Sequence, residues 1–350
     1  MSRLGMLTNR WLVFPTLLVL TCVGLAQAGE ARVLSLYNWS DYVGKHTISH
    51  FEQRFAVKVK QDLFASNEEL LAKLQAGVKG YDIIVPSDYM VRIMSKLGLL
   101  EPLDKAKLPN LTNLDERFRH LPYDPGEAYA IPYAWGTSGI GIREDKVDAP
   151  VVSLGTLFDP RYRRKLTLLD DMRETIGMAL KYLGYSVNTA DPKALEEAKE
   201  LLLRQKPLVK AYTSTQYKEM LLSGDAWLAH GWSGEITTAR RENPHVRYIM
   251  PQEGGVIFID NLAIPRTAPH KDLAHAFINF ILEPEVSADI HNTMLFGSPN
   301  RAARPYLKPT LTDDPHLNPT PEMLARFEFL EDLGAATRLW TRTWTEIKAR

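Results

Sequence analysis

Cysteine is nearly absent from the sequence: Cys22 is the only one in 350 residues. It sits in an N-terminal stretch with the features of a cleaved leader, so the mature chain would have no disulfide, no thiolate nucleophile and no cysteine-ligated metal. Net charge is absent as well, since 42 basic residues face 42 acidic ones. That balance provides no field for a polyanion and argues against nucleic acid as a partner. The runs GxGxxG, GxxxxGK[ST] and HExxH are missing, and GWSG at residues 231–234 lacks the spacing of a nucleophile elbow. His46 and His50 stand four apart on a predicted helix without a third ligand nearby, whereas zinc takes three or four. No catalytic residue, metal or cofactor is therefore expected. Long apolar runs are also lacking, because residues 11–25 make about 15 residues interrupted by Pro15, short of the roughly 20 that span a bilayer.

The first 28 residues combine Arg3 and Arg10 with that short apolar run and with Ala26-Gln27-Ala28, a small-x-small cleavage signal. They read as a secretory signal peptide cut after Ala28, which places the mature protein in the periplasm. Cleavage removes two basic residues and no acid, so the charge stays near neutral. Bulky Leu20 and Thr21 before Cys22 disfavour a lipid attachment there.

After the leader, short apolar runs alternate with amphipathic ones. ARVLSLYNW reads as a strand, TISHFEQRF as a helix with Ile48, Phe51 and Phe55 on one face, and VKVKQDLF as a strand. NEELLAKLQAG reads as a helix closed by Gly77, and YDIIVPS as an apolar strand ended by Pro86. This β-α-β-α-β order predicts an α/β fold with parallel strands, whose sites lie at the carboxyl ends of the strands. EAYAIPYAWGTSGIGI is expected to form two extended pieces around a glycine-rich bend. The pattern then restarts from KLTLLD through AWLAHGWSG, and a last block, GGVIFIDNLAIP and KDLAHAFINFIL, follows. Two α/β lobes with more than one chain crossing are implied, with a ligand cleft between them.

At the predicted strand ends, aromatics stand beside carboxylates and hydroxyls. They are Trp39, Ser40, Asp41 and Tyr42; Ser87, Asp88 and Tyr89; Asp170, Asp171 and Glu174; Trp232, Ser233 and Glu235; Phe258 and Asp260. Each has a plain structural reading: Trp39 and Trp232 as packing, Asp171 and Glu174 as a helix cap, Asp260 as a turn residue. Together they gather six carboxylates towards one place, Asp41, Asp88, Asp171, Glu174, Glu235 and Asp260, with Arg173 as the one cation within these motifs. Strand ends that meet helix N-termini favour anions. A site that accumulates acids and π faces there is suited to an organic amine, held by charge-assisted hydrogen bonds and by cation–π contacts of about 0.5–2 kcal/mol each.

With LYNWSDYV, YDIIVPSDY, PYAWGTSGIGI, DDMRE, EGGVIFIDNLAIP and SPNRAAR in order and in register, the chain resembles the periplasmic polyamine-binding proteins, the substrate-binding subunits of spermidine and putrescine ABC importers. The likeness runs from about Val33 to the C-terminus. It implies the two-lobe periplasmic-binding-protein fold of type II, each lobe a mainly parallel sheet flanked by helices. Residues 31–138 with 259–304 would form one lobe and 139–258 with 305–350 the other. It also implies hinge closure over a cationic polyamine, delivery to an inner-membrane ABC permease, a monomer, and no enzymatic activity. By the same resemblance Trp39 stacks on the polyamine chain, Ser40, Asp41 and Tyr42 line one end, and Ser87 and Tyr89 line the site further. Asp171 and Glu174 hold an amine, Trp232 forms the opposing wall, and Asp260 grips an amino group. Phe258 and Leu330 stand where spermidine-type members carry Trp and Gln. Ser40-Asp41, Phe258 and Glu235 follow the putrescine type, DDMRE and SPNRAAR the spermidine type, and Phe296 replaces a Tyr usual in both. The mixture tips towards putrescine. Another cationic amine, an amino acid, a polyamine conjugate or a ferric ion, a sensor partner in place of a permease, and a periplasmic amine-acting enzyme are the other readings.

Overall fold

The computed structural model describes Met1, residues 32–148 and residues 150–349. The expected signal peptide, with Arg3, Arg10, Cys22 and the cleavage point after Ala28, lies outside the described residues. Strand β1 (Arg32–Asn38) pairs in parallel with β2 (Val57–Leu63) on one side and β3 (Ile83–Ile84) on the other. Its side chains alternate between two apolar clusters: Leu34 and Leu36 enter one face, Tyr37 the other, all at most 1% exposed. Alternation with both faces buried is what a central strand requires. Helix α1 (Thr47–Phe55) buries Phe51 and packs Ile48 and Phe55 beside it, as its spacing predicts. Helix α2 (Asn67–Gln75) starts at Ser66, whose hydroxyl accepts the Glu69 N–H at 3.2 Å.

The stretch expected to bend is instead one 14-residue strand, β4 (Ala130–Arg143), buried throughout. Its first half pairs antiparallel with β9 (Val256–Ala263), and its second half with β7 (Leu228–Trp232) and β8 (Val246–Ile249). A register shift between Pro132 and Ala134 accommodates the proline, which has no N–H to give to a ladder. The glycines that suggest a bend serve close approach: a Cβ on Gly136 would meet Phe258 at 2.9 Å and Phe296 at 3.0 Å. β4 thereby joins two half-sheets in the strand order β2-β1-β3-β9-β4-β7-β5-β6, where β5 is Leu166–Leu168 and β6 is Val209–Tyr212. Each half-sheet is mixed: β1 with β2 and β3, and β5 with β6 and β7, run parallel, whereas β9 runs against β3 and β4, and β4 against β7.

Four helices complete the frame of the site. These are α3 (Asp88–Lys96), α4 (Met172–Tyr182), α6 (Tyr217–Ser223) and α7 (Ser233–Glu242), with α5 (Pro192–Gln205) packed on α4. No helix among the described residues is long and apolar enough to cross a membrane.

Candidate functional site

β1, β3, β5 and β7 all end at one place, and the residues just past their ends face a common cavity with about 540 Å³ of atom-free space. Convergence of strand carboxyl ends is where open α/β sheets hold ligands. β1 delivers Trp39 and Tyr42, β3 delivers Ser87, Asp88 and Tyr89, β5 delivers Asp171 and Glu174, and β7 delivers Trp232 and Glu235. Phe258 and Asp260 also line it, but from the middle of β9 and not from a strand end or turn as expected. β9 runs opposite to β3, so it crosses the cavity where β3 stops.

Asp260 is the most firmly held acid. The Tyr42 hydroxyl donates to its Oδ2 at 2.6 Å and the Ser87 hydroxyl to its Oδ1 at 2.6 Å. Ser87 is itself fixed by Asn67, which donates to its hydroxyl and accepts its N–H. Burial pushes the Asp260 carboxyl up to about 6, against those two hydroxyl donors. Asp88 opens α3, accepting the N–H of Tyr89 at 2.7 Å, and burial drives it up to about 8.

Opposite stand Asp171 and Glu174. Asp171 caps α4 by accepting the Glu174 N–H at 3.0 Å, and it also lines the cavity. Capping and lining thus coexist in one carboxylate, whose charge burial opposes and the backbone N–H groups of Glu174 and Arg173 support. Glu174 does not reach back to complete a capping box. Its Oε1 accepts the Trp232 indole N–H at 3.1 Å, while its Oε2 is buried without a partner. Burial first, and Asp171 second, hold its carboxyl up near 7. Glu235 is raised to about 7 by burial, eased by the Tyr217 hydroxyl and by Lys218.

The walls between these acids are aromatic. Trp39 and Trp232 meet edge to face with centroids 6.2 Å apart, and the Trp39 indole donates to the Val85 carbonyl at 2.9 Å. Phe296 lies 5.9 Å from Phe258 and 5.3 Å from Tyr42. No Lys or Arg side chain is among the residues lining this cavity.

Ser40 and Asp41 correct the expectation, since neither lines the cavity. Asp41 takes a left-handed φ of +52° in a tight turn tied by Asn38, whose amide donates to the Tyr42 carbonyl at 3.0 Å. That turn points Tyr42 inward and sends Asp41 out, exposed, to an ion pair with Lys218 at 2.7 Å. Arg173 stands behind the site, with its guanidinium over the Tyr89 ring at 5.3 Å and the Trp340 ring at 4.9 Å. Sequence reasoning missed Asn67 and Glu68. Asn67 lines the cavity, and Glu68 accepts the Tyr89 hydroxyl at 3.2 Å, its carboxyl raised to about 7 by burial and by Asp171. Both lie in the first turn of α2, where SNEE reads as ordinary capping. Leu330, expected only to mark a departure from the spermidine type, is a lining residue. His46 and His50 are exposed and stack at 5.7 Å, and no group of metal-holding side chains occurs among the described residues.

The chain is 40% identical to the putrescine-binding periplasmic protein of Pseudomonas aeruginosa, over 95% of this chain and 98% of that one. It is 38% identical to the spermidine/putrescine-binding periplasmic protein of Escherichia coli, over 93% and 94%. Among solved structures, a putative spermidine/putrescine ABC transporter from Listeria monocytogenes superposes with a TM-score of 0.87 at 34% identity, covering 91% of this chain and 99% of that one. The fold is accordingly that of the two-lobe periplasmic substrate-binding proteins. The model for the bacterial extracellular solute-binding proteins matches residues 47–319, and this chain belongs to that family.

Proposed function

We propose that this protein captures a polyamine in the periplasm, putrescine in preference to spermidine, and presents it to an inner-membrane ABC permease. One observation carries the reading: five carboxylates, Asp88, Asp171, Glu174, Glu235 and Asp260, line a cavity that no Lys or Arg enters, between the rings of Trp39 and Trp232. Buried acids with carboxyls raised to between about 6 and 8 sit at a cost that a bound cation relieves. An amine supplies that charge at both ends of an apolar stem, and the indoles cover the stem. The names of the relatives support the same ligand class. Phe258, in place of a larger ring, and Glu235 favour the shorter diamine.

Capture proceeds by hinge closure, with residues 31–138 and 259–304 moving against 139–258 and 305–350, and with β4 and β9 as the connecting strands. The protein acts as a monomer without catalysis, after loss of residues 1–28. A thermal-shift screen of putrescine, cadaverine, spermidine, spermine and agmatine, followed by calorimetry on the hits, tests the assignment. Stabilisation by at least one of the five supports it, and no stabilisation by any of them refutes it.

A further inference from the structure

A second cavity, with about 1080 Å³ of atom-free space, adjoins the first. Asp88, Tyr89 and Leu330 line both, so at those points the two are separated by single residues. Two of the three are pinned by hydrogen bonds. Asp88 accepts the N–H groups of Tyr89 at 2.7 Å and of Ile259 at 3.3 Å, and the Tyr89 hydroxyl is held by Glu68 at 3.2 Å. The Leu330 side chain is held by packing alone, and it follows strand β10 (Glu328–Phe329), which runs parallel to β9. Beyond this wall the second cavity presents Leu121, Tyr123, Ile259 and Phe329. The Tyr123 hydroxyl is taken by Asn261 at 2.8 Å, and the Phe329 ring stands 44% exposed. The two cations that line this cavity are already engaged, Arg92 with the Pro122 carbonyl at 3.0 Å and Lys96 with Asp332 at 2.7 Å, and Glu331 is exposed.

On the first cavity's side of the wall, Asp88 has Asp260 for a neighbour, because Ser87 bridges to Asp260 and donates to its Oδ1 at 2.6 Å. A secondary ammonium suits such a pair: its two N–H groups serve one carboxylate each, and its two carbon branches carry the stem and a substituent. Resting on the polyamine reading above, we propose that the second cavity is a subsite for an apolar N-substituent, so that the protein also takes polyamines bearing an alkyl or aryl group on the nitrogen at the Asp88–Asp260 end. The substituted nitrogen keeps its charge and stays with the two acids. The substituent passes Leu330, whose side chain turns aside without breaking a hydrogen bond, and lies against Tyr123 and Phe329. An acyl group in the same place removes the charge from its nitrogen and leaves the pair of acids without a cation.

Calorimetry of putrescine, N-benzylputrescine and N-benzoylputrescine on the mature chain tests this, with Phe329→Ala and Leu330→Ala beside the parent. In the parent, N-benzylputrescine is expected to bind within about tenfold of putrescine, and N-benzoylputrescine at least about tenfold more weakly than N-benzylputrescine. Phe329→Ala should lower the ratio of N-benzylputrescine to putrescine affinity by about fivefold or more through lost ring contact, whereas Leu330→Ala should raise it by opening the wall. Weaker N-benzylputrescine in the parent, an N-benzoyl analogue that binds as well as the N-benzyl one, or a ratio that either substitution leaves unmoved overturns the subsite. A parent protein that binds none of the three overturns the polyamine reading instead. The Phe329 ring belongs to none of the apolar clusters of the core, so its removal leaves the fold intact, as melting temperatures without ligand check.

Discussion

Replacing Glu174 by Gln removes one charge from the cavity while keeping an Oε1 acceptor for the Trp232 indole N–H. Its consequences for folding and for binding have opposite signs. In the folded, ligand-free protein the Glu174 carboxyl stands near 7 instead of 4.5, and the residue is only 5% exposed. A group with a raised carboxyl binds a proton in the native state that the unfolded chain has lost, so stability falls as pH rises from about 4.5 to 7 and stays low above it. The full difference is about 3 kcal/mol. Gln abolishes it, but exchanging the Oε2 acceptor beside the Ser138 hydroxyl for an amide nitrogen costs about 1–2 kcal/mol. The variant should thus be more stable than the parent by about 1–2 kcal/mol at pH 8 and less stable by a similar amount near pH 4.5. Polyamine binding should weaken by about 2–5 kcal/mol, roughly 30- to 5,000-fold, because a desolvated ammonium loses its counter-charge. Denaturant melts at the two pH values and calorimetry at pH 8 read both effects. A variant less stable than the parent at pH 8, or one that binds polyamine within twofold of it, refutes the electrostatic account of Glu174.

Trp39→Ala should weaken putrescine and spermidine alike, by roughly 1–3 kcal/mol from lost stacking and burial, as read by calorimetry; an unaltered affinity reduces Trp39 to packing against Phe64, whose ring centroid lies 4.3 Å from its own. Asp260→Asn leaves one of the hydroxyls of Tyr42 and Ser87 without its acceptor and removes the charge, so the loss should reach about 2–5 kcal/mol in binding, measured in the same way. Gly234→Ala would place a Cβ 2.6 Å from the Phe296 ring, and overpacking of about 1–3 kcal/mol should lower the melting temperature and weaken ligand retention together.

Local periodicity carries most of the elements. TISHFEQRF is α1 to the residue, and the strand ends with aromatic and acidic neighbours do converge on one cavity. What local pattern does not show is information held by distant partners. The glycines of β4 suggest a bend because the rings that need their missing side chains, Phe258 and Phe296, come from far along the chain. Asp88 resembles a loop residue because α3 begins on it directly after Pro86 and Ser87, with no side-chain cap from Ser87 to announce the helix. The arginine-rich end of α7 and the brevity of β8 leave little periodic signal for either. Asp41 and Tyr42 are adjacent and equally plausible as site residues, yet one backbone angle sends them to opposite sides. Asp171 shows that one carboxylate can serve a helix end and a cavity together, so spacing alone has no way to choose between the two.

The clasp on Asp260 has one more implication. Its two oxygens are oriented by hydroxyls from separate elements, one after β1 and one before α3, so its rotamer is selected when the lobe folds and not when an amine arrives. A ligand reaching this end finds a carboxylate with little side-chain entropy left to lose, a term of order 1 kcal/mol for a free acidic side chain. A glutamate here would keep the charge, but one extra methylene would move both oxygens off their hydroxyls and restore that freedom. Asp260 is consequently a position where length matters as much as charge.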